Sequence, residues 1–231
     1  KSSYISDVNT AIAGLEAAGS TAAGLETALS DAEGAEAAFF GEGGDGEGFA
    51  NAAAITTVIS GLAPLKTTAD GFETALSDAE GAEAAFFGAG GDGDGFTDSA
   101  DIGSEAAELE ASAAELTGEI ATSVSEAAAA LRELELQAQT LEGAVSTAQG
   151  DVDAFFGTGG DGEGFADADA ITTAISGLTT LETTAKGLED DVSTAETNLD
   201  DFFSALNADT SVNLKDGSDY TGSMSIASEI A

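Results

Sequence analysis

The feature that most constrains this chain is an internal repeat. Residues 24 to 41, running from Gly24 to Gly41, recur at residues 71 to 88 with a single change, Leu25 to Phe72. Each copy is followed by a glycine-rich acidic loop. Gly43-Gly44-Asp45-Gly46-Glu47-Gly48-Phe49 is matched by Gly90-Gly91-Asp92-Gly93-Asp94-Gly95-Phe96 and again by Gly159-Gly160-Asp161-Gly162-Glu163-Gly164-Phe165. The four Phe-Phe pairs, beginning at Phe39, Phe86, Phe155 and Phe202, are spaced 47, 69 and 47 residues apart, so the middle unit carries 22 extra residues. No glycine-rich loop follows the last pair. Units repeating at this period bury their apolar faces on one another.

Within the units the apolar spacing is helical. Ile120, Val124, Ala127, Leu131, Leu134, Ala138, Leu141, Val145, Ala148, Val152 and Phe155 alternate steps of four and three, the seven-residue period of a narrow helix seam. The same alternation, with slips, runs through the other units. It predicts four long helices, near 4–40, 51–87, 98–156 and 167–206. Period-two alternation is missing, and Ala, Glu and Leu favour helices over strands. Pro64 predicts a kink or interruption of the second helix. The many glycines within the helices, Gly24, Gly34, Gly71 and Gly81 among them, suggest close approach of neighbouring helices.

A seam this narrow has to meet other helices, and short loops make neighbours antiparallel. The expected fold is all-α: a long, Ala-rich, coiled-coil-like up-and-down four-helix bundle over residues 1–206, with units ending near 49, 96, 165 and 206. Residues 207–231 form a short non-helical tail, as a β-hairpin around Asp216-Gly217 or as an extended arm. If the third helix is unbroken, its 22 extra residues add about 33 Å and overhang the bundle near Leu109, Leu116 and Ile120, a self-assembly surface. If Gly103 or Gly118 breaks it, the extra segment folds back.

Charge narrows the function. The chain holds 44 Asp and Glu against 5 Lys and Arg and no His, a net charge of -39. Nucleic acid is excluded as a partner because phosphate binding needs clustered cations, and anionic membranes repel the chain too. Self-repulsion of this size is relieved by salt, which shortens the Debye length to about 3 Å at 1 M. The composition resembles that of halophilic proteins. There is no Cys, hence no disulfide framework, and no apolar run long enough for a membrane span. A first residue of Lys1 rather than Met points to a processed or partial chain.

The paired acids of the loops are candidate hard-cation ligands, since glycine lets the backbone curl and carboxylates suit calcium. They are Asp45 and Glu47, Asp92 and Asp94, and Asp161 and Glu163, with Asp98 and Asp167 just beyond. The competing reading makes each loop a plain helix reversal. Without His or Cys and with few cations, acid-base, covalent and phosphoryl chemistry lack their usual groups; no enzyme and no small-molecule substrate are expected. The expected function is a self-assembling structural subunit of an extracellular filament, sheath or surface layer of a salt-adapted organism, with a calcium-dependent adhesin stalk or spacer module as the alternative.

Overall fold

A computed structural model of the chain describes residues 2–209 and 219–230. The described residues form helices α1 (Ser2–Phe40), α2 (Ala52–Phe87), α3 (Ser99–Glu115), α4 (Glu119–Phe156), α5 (Ala168–Ala208) and α6 (Ser223–Ile230), with no strand among them. The structure is all-helical. Two compact units divide the chain: Lys1–Ile59 with Ser176–Ala231, and Ser60–Ile175. Their boundary falls inside α2 and inside α5.

Three helix starts share one local chemistry. Asn51 Oδ1 accepts the Ala54 N–H at 2.9 Å, Asp98 Oδ1 accepts the Asp101 N–H at 2.8 Å, and Asp167 Oδ1 accepts the Ala170 N–H at 2.7 Å. These are N-caps, each satisfying a first-turn amide that has no partner within its helix. They stand two residues after Phe49, Phe96 and Phe165, so the repeat encodes both the end of one helix and the start of the next.

In the first unit, α1 is covered by the end of α5 and by α6. Leu15, Ala22, Phe203, Leu206, Tyr220 and Ile226 form one buried cluster. The chain approaches α6 through a two-way bond, with the Tyr220 N–H donating to Asn207 Oδ1 at 2.7 Å and Asn207 Nδ2 donating to the Tyr220 carbonyl at 3.0 Å. A second cluster sets Phe39, Ala52 and Ile55 against Ala185 of α5.

In the second unit, α3 and α4 form an antiparallel hairpin. Ser99 at the start of α3 meets Glu142, and Glu110 near its end meets Arg132. Phe86, Ile102 and Ala138 are the buried core at the open end of the hairpin. Ala69, Phe155, Ala168 and Ile171 make a further cluster joining α2, α4 and the first turns of α5. Fully burying each large side chain contributes about 1.5–3 kcal/mol.

Four expectations change. The single helix over 98–156 is broken: α3 stops at Glu115, and Gly118, at φ 70 and ψ -150, starts α4. The segment folds back, so the overhang does not form; a backbone of that φ is open to glycine at little cost. Of the two outcomes expected at Pro64, interruption does not occur: the residue lies inside α2, which runs on to Phe87, its ring removing only one backbone hydrogen bond of the ladder. The tail is helical at Ser223–Ile230; the hairpin expected at Asp216-Gly217 lies outside the described residues. Finally, a Cβ placed on Gly24, Gly34, Gly61, Gly71, Gly81, Gly177 or Gly187 would meet nothing within 4 Å, so close helix approach does not account for them.

Candidate functional site

Two kinds of helix reversal are the places where this chain could do something beyond folding. The three glycine-rich loops share one geometry. Gly46, Gly93 and Gly162 donate their N–H groups to the carbonyls of Phe39, Phe86 and Phe155 at 3.0, 2.9 and 3.0 Å. Each Phe-Phe pair stacks edge to face at 4.9 Å between centroids, a favoured aromatic geometry. The first ring of each pair lies against the loop: a Cβ on Gly46 would stand 2.4 Å from the Phe39 ring.

Most of the acids predicted as metal ligands have other partners. Glu47 Oε2 accepts the Gly43 N–H, Asp94 Oδ2 the Gly90 N–H and Glu163 Oε2 the Gly159 N–H, all at 2.9 Å. Asp98 and Asp167 are the N-caps described above. Asp101 accepts both the N–H and the hydroxyl of Thr97. Asp45, Asp92 and Asp161 are exposed on their loops. Among the described residues no group of three acidic side chains comes together to hold a metal ion. Five of the eight candidates are thus acceptors for the backbone of their own reversal.

A second set of carboxylates, unforeseen from the sequence, ties each helix start to a neighbour. Glu189 Oε1 accepts the Ala52 N–H at 2.7 Å, Glu142 Oε1 the Ser99 N–H at 2.6 Å, Glu73 Oε1 the Ala168 N–H at 2.8 Å and Glu26 Oε1 the Ser223 N–H at 2.7 Å. Glu142 also takes the Ser99 hydroxyl at 2.6 Å, and Glu26 the Ser223 hydroxyl. All four glutamates are half-buried. Each places negative charge at the positive end of a helix dipole. The Ser223 hydroxyl, and then its N–H, hold the Glu26 carboxyl below the usual carboxylate range. The signal was present: each of the four follows a Leu or Phe (Leu25, Phe72, Leu141 and Leu188), at the repeat's own spacing.

The second kind of reversal is the α3–α4 turn at residues 116–118. It has no aromatic seal. Arg132 braces the hairpin below it, with Nε donating to Glu110 Oε1 at 3.0 Å and Nη1 to Glu135 Oε2 at 2.7 Å. Glu110 first, then Glu135, holds the guanidinium above its ordinary pKa, and the Glu110 carboxyl is held low in turn. Above that brace the seam turns outward. Ala128 is buried at 2% exposure while Ile120 is 65% exposed and Leu116 40%. Leu109, Ile120, Ser123, Val124 and Ala127 line an open apolar groove there. The three residues predicted for self-assembly, Leu109, Leu116 and Ile120, therefore gather at one hairpin tip, although not on an overhang.

No helix among the described residues is long and apolar enough to cross a membrane. No protein-family model, curated protein sequence or solved structure matches this chain.

Proposed function

We propose that this chain is a non-catalytic structural subunit that associates with further copies of itself in salty surroundings at or outside the cell surface, as part of a filament, sheath or surface layer. One observation carries the reading: Leu116 and Ile120 stand exposed at the tip of the α3–α4 hairpin, beyond the part of the α4 seam that is covered, from Leu131 onward. An apolar patch kept on so polar a chain is a surface for a partner. The absence of His and Cys and the scarcity of cations argue against catalysis on chemical grounds. The charge of -39 favours association in concentrated salt, where self-repulsion is screened.

In this reading the repeated unit is one long helix with its glycine-rich reversal, and successive units run up and down to make the bundle. The test is sedimentation velocity of the purified chain across 0.1–3 M KCl, with electron microscopy at the top of the range. Polymers that dissolve as salt is withdrawn are expected. Monomers at every salt concentration, with helicity intact, would overturn the proposal.

A further inference from the structure

Among the described residues, two apolar seams run out of cover, and they differ in charge. The first is the hairpin tip. The stretch 105–126 carries Glu105, Glu108, Glu110, Glu115, Glu119 and Glu126 and no Lys or Arg. The second is the start of α1. Along its seam exposure rises from 1% at Leu15 to 37% at Val8 and 59% at Ile5, with Tyr4 beside them at 72%. α6 shields Leu15 and Ala22, and its Ile230 lines a groove with Glu16, on the Leu15 side of this stripe. The stretch 1–15 holds one Lys and one Asp, Lys1 and Asp7, and is therefore neutral in a chain of charge -39.

We infer that the groove at the α3–α4 tip receives the first turns of α1 from a second copy of the chain. This rests on the self-association proposed above and names its two faces. Charge decides between occupants. Tip against tip would set six glutamates on six, whereas tip against α1 sets six glutamates on a neutral stretch; like charges across an interface disfavour pairing. Shape agrees: Tyr4, Ile5 and Val8 form an apolar stripe of about 6 Å at 1.5 Å per residue, and the two-helix groove of Leu109, Ile120, Val124 and Ala127 admits a third helix in the helix-in-groove manner. Each copy offers one groove and one stripe, so the contact can repeat from copy to copy.

The test uses the full chain in 2 M KCl with two double variants, Ile120→Ser with Val124→Ser at the tip and Ile5→Ser with Val8→Ser on α1. Each alone should raise the concentration needed for assembly at least tenfold. An equimolar mixture should recover dimers but not longer species, because it contains one intact groove and one intact stripe. Circular dichroism checks that both variants stay folded. Since the chain has no cysteine, Ile5→Cys and Ile120→Cys provide a second measurement that needs no loss of stability. Mixed under mild oxidation, they should cross-link to each other at least tenfold faster than Ile120→Cys to itself. If the tip variant abolishes assembly and the α1 variant does not, tip-to-tip contact replaces this proposal while self-association stands. If neither variant weakens assembly, or if the wild-type chain stays monomeric, the inference fails outright.

Discussion

The glycine-rich reversals and the α3–α4 turn do the same mechanical job in opposite ways. At the former, the first Phe of the pair lies over a glycine, the second Phe stacks on it, and one carboxylate holds the loop while another, from a neighbouring helix, holds the next helix start. At the latter, three residues turn the chain, no aromatic covers them, and Leu116 and Ile120 face outward. A reversal that spends its apolar groups on itself is finished. One that leaves them exposed keeps an apolar surface open, the surface on which the proposed self-association rests, and the difference lies in the residues next to the turn, not in the helices it joins.

The largest test of that contrast is truncation of the seal against truncation of the tip. Phe86→Ala should cost about 3–5 kcal/mol in urea unfolding, because Phe86 is buried against Ile102 and Ala138. Ile120→Ala should change stability by less than about 0.5 kcal/mol. Equal losses at the two sites would erase the distinction.

Next comes the backbone. A Cβ on Gly91 would stand 2.2 Å from the Ala85 carbonyl oxygen and 2.3 Å from that of Phe86, so Gly91→Ala should cost about 2–3 kcal/mol. At Gly118 added atoms meet nothing, and only the positive φ opposes Ala, at about 1–2 kcal/mol. Thermal melts of the two variants should rank in that order.

Removing a neighbour's carboxylate is smaller still. Glu142→Ala leaves the first amide of α3 and the Ser99 hydroxyl without their acceptor and should cost about 1–2 kcal/mol, read from the melting temperature. The equivalent Glu26 adds a pH dependence. Its carboxyl is held low by Ser223, so the stabilisation is present in full above the ordinary value of 4.5 and is lost as pH falls from there through the lowered value. Near-ultraviolet circular dichroism of Tyr220, buried beside α6, should report that loss, and Glu26→Gln should flatten the profile over the same range.

The smallest expected effect belongs to calcium. Because Glu47, Asp94 and Glu163 each already accept a loop N–H, adding calcium chloride to chelator-treated protein at constant ionic strength should leave the melting temperature unchanged. A rise of several degrees would mean that the exposed Asp45, Asp92 and Asp161 recruit a cation, and would move the loops from finished reversals to binding sites.

Much of the fold could be read from the residues because the forces that set it are local. The three-four seam fixes helix from Leu131 to Phe155. Asn51, Asp98 and Asp167 stand where a cap must stand, and glycine after Phe-Phe ends α1, α2 and α4. The break at Gly118 was one of two readings the sequence left open, since a glycine with φ > 0 and a helical glycine look alike in a string of letters. The outward turn at the start of α4, with Ala121 and Ala128 rather than Ile120 and Ala127 toward the protein, was hidden for a different reason. The repeat continues unbroken there, and only the end of cover shows where it stops mattering.

The roles of the acids divide along the same line. By itself the sequence determined that this chain is helical, where it reverses and how much negative charge it must carry, because periodicity, caps and glycine act within a few residues. Only the tertiary structure decided that Glu26, Glu73, Glu142 and Glu189 hold the starts of other helices, that α6 exists to be held, and that Leu109, Leu116 and Ile120 share one exposed tip. A carboxylate is an ordinary surface group until an antiparallel neighbour brings an unpaired amide within 3 Å of it, and that register is a property of the packed helices together.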